Sequence, residues 1–291
     1  MLLRRVIEHV REQNWIAIGI DFVIVVVGVY LGIQVSNWNA ERETRQRGAE
    51  FSQRLRADLK EEGWLYQFMI EYYSDVLAAA ERSVDALTGK APLSNHDLLV
   101  NAYRASQYRH GARRRSTYDE LVSTGSLGLI KDQKLAGVAA RTYRITTLEN
   151  LVRESLESLY RQAFRMSIPN DVQRALARHC GDRPLKLGDY EGIADVQGYP
   201  CSLALPQDAI DAAATSLRSD AMMVPMLRLR IADLETRLGD LTSNNRDVFE
   251  GLRDIAERGK GASTENLAAR AVHEVDRSPV RAAQRSPREH V

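Results

Sequence analysis

Residues 103–118, YRASQYRHGARRRSTY, set Arg104, Arg109, Arg113, Arg114 and Arg115 with His110 beside Tyr103, Tyr108 and Tyr118, just ahead of a helix start. Guanidinium forks match the oxygens of phosphate and carboxylate, and the unpaired N–H groups of a helix N-terminus add to the same field. The segment is therefore a candidate site for a small anion, as in a sensor or binding module. The competing reading is a solvated turn whose arginines pair with the many acids nearby.

Cys180 and Cys201 bracket the loop-like stretch HCGDRPLKLGDYEGIADVQGYPC. A cysteine pair closing one Gly/Pro/Asp-rich loop is a clip suited to an oxidising compartment. Closing about 20 residues contributes ~3 kcal/mol in the chain-entropy model. Two unrelated buried thiols are the alternative. The six histidines (His9, His96, His110, His179, His273 and His290) do not stand at metal-site spacing from one another or from carboxylates. Gly125-Ser126-Leu127-Gly128 lacks the Gly-Lys-Ser/Thr of a phosphate loop and the Gly-x-Ser-x-Gly of a nucleophile elbow. No catalytic residue, metal or cofactor is expected. A net charge of +1 with 27% charged residues gives no pull toward nucleic acid.

These residues must be carried by something, and the N-terminal region shows where. From Trp15 to Trp38 the chain is mostly Ile, Val, Leu, Gly and Ala, with Asp21 and Gln34 as polar exceptions. About 22 residues at ~1.5 Å rise match the ~30 Å of a hydrocarbon core. Trp15 and Trp38 are placed as interfacial anchors at its two ends. Asp21 lies within two turns of the first end, within reach of headgroups or a partner helix, where a charge costs less than at mid-bilayer. Gly28 and Gly32 have the spacing that lets two helices approach closely. No small-x-small cleavage site follows the span, which argues against a removed signal peptide. A buried soluble helix is disfavoured because the run is apolar all round and rich in Val and Gly.

Two signals bear on topology and disagree. Arg4, Arg5 and Arg11 precede the span, whereas Arg42, Arg45, Arg47, Arg54 and Arg56 follow it, a bias toward a cytoplasmic C-terminal region. That rule weakens when a long domain follows, and the cysteine pair points to the periplasm. The expected arrangement is a cytoplasmic N-terminus and a periplasmic domain at the bacterial inner membrane.

The remainder reads as all-α, an extended bundle of long helices after the transmembrane one. A charged amphipathic segment at 1–14 and the span at 15–38 lead into a bundle over 39–168, the cysteine loop at 169–206, a last long helix at 207–257 and a disordered tail at 258–291. Within the bundle a first helix covers about 40–88, a second runs from Ser94-Asn95 to about 110, and Thr117-x-x-Glu120 opens a short one that ends at Gly125 or Gly128. Asp132 then caps one long helix that reaches Pro169, with Leu135, Val138, Ile145, Leu148, Val152, Leu156 and Leu159 facing inward. In the last helix Leu227, Ile231, Leu234, Leu238, Leu241, Asn245, Val248, Leu252 and Ile255 step by four and three, a heptad seam with Asn245 at an a position that would fix coiled-coil register. Arg230 and Glu235 would flank a dimer seam; a helix packed inside its own bundle shows the same pattern.

The chain resembles the DUF6090 family of bacterial single-pass membrane proteins. The likeness rests on Asp21 early in the span, the exit Gln34, Asn37, Trp38, Asn39, and the later Thr117-Tyr118-Asp119-Glu120-Leu121 with Gly125 and Leu129-Ile130-Lys131-Asp132. It covers roughly residues 15–45 and 115–145. The resemblance implies membrane placement and transfers no catalytic residue. Together the readings point to a non-enzymatic scaffold or interaction module. Its expected partners are the lipid bilayer and a second copy or another membrane protein, through Asp21, Gly28 and Gly32.

Overall fold

The computed structural model describes residues 15–257. The segment 1–14, expected to be amphipathic, and the tail 258–291, expected to be disordered, lie outside the described residues. Among the described residues every regular element is helical, so the fold is all-α.

Helix α1 runs from Trp15 to Leu87. The apolar run at 15–38 and the helix expected at 40–88 are one element, because nothing between Asn37 and Arg47 stops it. Neither Pro nor Gly falls there. Glu41 and Arg45 pair at 3.9 Å, Glu43 pairs with Arg47, and Thr44 Oγ1 donates to Ala40 O at 2.8 Å. Acid-before-base pairs at this spacing support a helix by a few tenths of a kcal/mol each. The helix ends where Gly89 takes a positive φ of 74°. From Ile20 to Trp38 its large apolar side chains are exposed. Beyond that, Leu55, Leu59, Phe68, Met69, Tyr72, Val76 and Ala80 form the buried stripe that their spacing predicts.

The chain divides into two compact units, one made of the part up to Leu55 with Thr117–Gln133, the other of Arg56–Ser116 with the part from Lys134 onward. In the first, α3 (Ser116–Ser123) is followed by Gly125 at φ 65° and a 3₁₀ turn, Ser126–Leu129. Thr117 thus sits inside the helix rather than capping it. A Cβ on Gly48 would lie 2.7 Å from Leu129 O, so only glycine lets the turn rest on α1 there. Arg54 pairs with Glu120 at 2.7 Å across the same seam.

The second unit holds the main core. Ala79 and Ala80 of α1 pack with α2 (Asn95–Ala105), α6 (Leu159–Ser167), α7 (Asn170–His179), α8 (Gln207–Ser219) and the start of α9 (Met223–Gly239). Ser94 caps α2 by accepting from Asp97 N at 3.0 Å. The helix stops at Ala105, short of the predicted 110, where Ser106 Oγ turns back to donate to Tyr103 O at 2.6 Å.

The single helix expected from 132 to 168 is three: α4 (Gln133–Arg144), α5 (Thr147–Leu156) and α6. The first break falls at Ile145-Thr146, which with Thr147 make three β-branched residues in a row, and the second falls just before α6, at Glu157-Ser158. As a result Leu156 and Leu159, expected inside, are 46% and 53% exposed. The stretch expected as loop from 169 opens with α7, whose last turn runs into Cys180.

The last helix is also broken. Asp220 is extended between α8 and α9, and a π turn at Asp240–Asn244 separates α9 from a final helix, α10, over residues 246–257. Asn245 Nδ2 donates to Asp240 O at 2.8 Å. Asn245 therefore satisfies the carbonyl of its own helix break and does not set coiled-coil register. Leu227, Leu234, Leu238, Leu241, Val248 and Leu252 are buried within the domain, the internal alternative to a dimer seam.

Candidate functional site: the arginine segment and the disulfide loop

The connection after α2 carries the arginines, and the structure gives each a local setting. Tyr73 Oη donates to Arg109 O at 3.0 Å and Tyr143 Oη donates to Arg114 O, so the backbone of the segment is pinned from two sides. Arg113 reaches inward. Its Nε donates to Glu62 Oε2 and its Nη1 to Glu149 Oε1, both at 2.7 Å, and its Nη2 donates to Thr142 O at 2.9 Å. The rings of Tyr66 and Tyr143 each lie 5.8 Å from the guanidinium carbon. Glu62 has no solvent exposure, and its second oxygen accepts from Arg114 N. Burial pushes the Glu62 carboxyl above the usual range despite the pull of Arg113. Tyr66 Oη and Thr142 Oγ1 are buried without a hydrogen-bond partner among the described residues.

The other four arginines are spread around this centre. Arg114 Nε donates to Glu61 at 2.6 Å. Arg115 lies 6.0 Å over Tyr143. Arg109 is 3.5 Å from Asp182 and 5.8 Å over Phe68. Arg104 donates to Tyr199 O at 2.6 Å and sits over the Tyr199 ring. Instead of converging on one pocket, these side chains bind the segment to α1, α4, α5 and the cysteine loop.

Cys180 and Cys201 are joined by a disulfide with Cα atoms 5.4 Å apart. The loop they close is tied to the helices by Asp182, which accepts from Tyr72 Oη and from Gln197 Nε2, each at 2.9 Å. Trp64 Nε1 donates to Asp189 O at 3.1 Å near the middle of the loop. Burial first, and then the Asp182 charge, push the Tyr72 phenol up.

Sequence reasoning missed Arg230. It is 3% exposed and has no carboxylate partner among the described residues; Nη1 donates to Ser155 Oγ at 2.9 Å and Nη2 to Gln107 O at 3.2 Å. Burial lowers its pKa to about 10. The guanidinium thus closes the open carbonyl end after α2. A heptad reading assigns it to a flank, and only the assembled fold shows it buried against Ser155 and the end of α2.

In the first unit, Asp21, Gly28, Gly32 and Gln34 stand on the exposed apolar part of α1, and a Cβ built on Gly28 or Gly32 meets nothing within 4 Å. Trp15 and Trp38 are 75% and 58% exposed. One helix among the described residues is thereby long and apolar enough to cross a membrane. No group of His, Cys, Asp and Glu suited to a metal occurs among the described residues. Comparison with family models, with curated proteins and with solved structures finds no match for this chain.

Proposed function

We propose that this chain is a single-pass inner-membrane protein whose helical extramembrane domain is a scaffold or protein-interaction module. The observation that carries the reading is α1 itself: an apolar segment with uncovered side chains continues without a break into the helix that forms the domain core. Such a segment finds its missing burial in a bilayer. Membership of the DUF6090 family, suggested by the residues of the span and of α3, fits the same picture.

The domain is assigned to the periplasm because a disulfide-closed loop is characteristic of oxidising compartments. The arginine count on that side of the span opposes this weakly, since long domains translocate largely regardless of charge. Gly28 and Gly32 are the face offered to a second copy or another membrane protein, with Asp21 able to hydrogen-bond across. The arginines of 104–115 support the scaffold over an anion sensor, since their charges and backbone serve to hold α1, α4 and the loop together.

The test is alkylation of Cys180 and Cys201 in intact cells with a membrane-impermeant reagent before and after reduction, run beside a C-terminal tag read for periplasmic or cytoplasmic exposure. Labelling that needs reduction, with a periplasmic tag, is the expected result. A cytoplasmic tag with free thiols would overturn the assignment. Gly28→Leu with Gly32→Leu should lower crosslinked complexes of the full-length protein in membranes, and unchanged complexes would remove that face from the proposal.

A further inference from the structure

A second group of arginines, none of them from the segment that the sequence singles out, gathers beside the start of that segment. The end of α2, one face of α6 and the first turns of α7 enclose a cavity of about 390 Å³. Arg161, Arg165 and Arg174 line it together with Tyr103, Gln107 and Asn170, and no carboxylate is among its lining residues. Arg54, Arg113, Arg114, Arg141, Arg237 and Arg246 all meet acids. Arg165 and Arg174, by contrast, have no ion pair among the described residues.

The three arginines are held differently. Arg161 is preset: Nη1 donates to Ser106 O at 2.8 Å and its guanidinium stacks 4.7 Å over the Tyr108 ring, leaving other N–H donors unspent. Arg165 follows one turn later on α6, where a like-charge neighbour at this spacing is unfavourable. Burial first, and Arg165 next, depress the Arg161 pKa. Arg174 projects from α7. The first turn of this ten-residue helix, at Asn170, adds outward N–H groups whose N-cap, Pro169, supplies no side-chain acceptor. Tyr103 contributes a phenol whose hydroxyl has no hydrogen-bond partner among the described residues, beside the buried ring of Phe164. Three positive charges, unspent donors and an aromatic wall match the chemistry of a multiply charged oxyanion.

We propose that this cavity binds a phosphate group, as free phosphate or a phosphate ester, or as the headgroup of a lipid. A phosphate dianion accepts several charge-assisted hydrogen bonds at once and relieves the repulsion between Arg161 and Arg165. A monocarboxylate matches neither the charge nor the number of donors. The site is distinct from the 104–115 arginines and does not depend on which side of a membrane the domain occupies.

The experiment is isothermal titration calorimetry on the full-length protein in a nonionic detergent. The probes are inorganic phosphate, acetate, and dihexanoyl phosphatidic acid below its micelle concentration. Saturable heat with phosphate, weakened by added salt and absent with acetate, is expected for a free phosphate ligand. Heat with the short-chain lipid alone assigns the source to a headgroup. In either case Arg165→Ser or Arg174→Ser should weaken binding by roughly tenfold or more, the loss of one charge-assisted contact. Both positions are exposed, and an unchanged circular dichroism melt will show that the variants fold. No saturable heat with either phosphate probe, or equal affinity in both variants, overturns the site.

Discussion

Arg113 Nε donates to Glu62 Oε2 at 2.7 Å where the carboxylate is shut off from solvent, and Glu149 closes the other side of the same guanidinium at 2.7 Å. The pair joins α1 to the segment after α2, and through Thr142 O and Glu149 it reaches α4 and α5. Removing one partner from such a pair strands the other charge, which costs about 3–5 kcal/mol. Arg113→Ala is therefore expected to lower the unfolding free energy in urea by that amount. The double variant Glu62→Leu with Arg113→Met should recover most of it, because matched apolar groups need no partner. A single variant as stable as the parent would show that the centre holds nothing together.

Arg230 gives a second, different case of a buried cation, since what it meets is neutral. Its donors face Ser155 Oγ and Gln107 O rather than an acid. Truncation to Ala opens a cavity and also leaves those acceptors unpaired, two costs that together reach about 2–5 kcal/mol. Arg230→Lys should fail to restore stability, because one ammonium cannot span the two acceptors. Thermal unfolding of the three proteins checks this ordering, and Lys matching Arg would sink it.

How much of this was legible beforehand depends on the period of each pattern. The stripe from Leu55 to Ala80 and the apolar run between Trp15 and Trp38 were readable because burial follows a helical repeat over many turns. Helix ends were not. Thr146, Ser158 and Asn245 break helices that apolar spacing alone continues across, since competing local hydrogen bonds and crowded β-branched residues leave no mark on the periodicity. The cysteine pair could be placed on one loop from sequence, yet its tie to Tyr72 through Asp182 spans 110 positions and has no local signature. Arg230 was misread for the same reason: a single charged residue on a regular helix looks exposed until the elements around it are in place. The Arg161, Arg165 and Arg174 cavity is likewise assembled from three helices, and none of them is conspicuously basic alone.

A pH dependence follows from Glu154. It accepts from Arg237 Nε at 2.8 Å and Nη2 at 2.7 Å, fastening α5 to α9. The hydrogen bond from Arg237 holds its carboxyl below the usual value of 4.5. A carboxyl with a depressed folded pKa contributes stability above its unfolded pKa and loses it as pH falls through the folded one. The wild type should thus exceed Glu154→Gln in stability at neutral pH. The gap should begin to close below about pH 4.5 and vanish once Glu154 is protonated in the folded state. Paired urea titrations between pH 7 and pH 3 test this. A gap that widens on acidification would reverse the sign of the argument.

The disulfide loop should be stable in proportion to what holds it besides sulfur. Cys180 and Cys201 stand 21 positions apart, and closing that loop contributes about 3 kcal/mol through the unfolded chain. The folded loop also has Asp182 on Tyr72 and Gln197, Trp64 on Asp189 O, and Arg104 on Tyr199 O. Reduction acts on the unfolded state and leaves these contacts in place, so the reduced domain is expected to stay folded with a lower unfolding midpoint. Reduction combined with Asp182→Ala removes the central tie as well. Hydrogen exchange of the amides at 182–199 should then approach the unfolded rate, while those of α6 and α8 stay protected. Full protection of the loop in the reduced Asp182→Ala protein would mean that its order comes from contacts other than these.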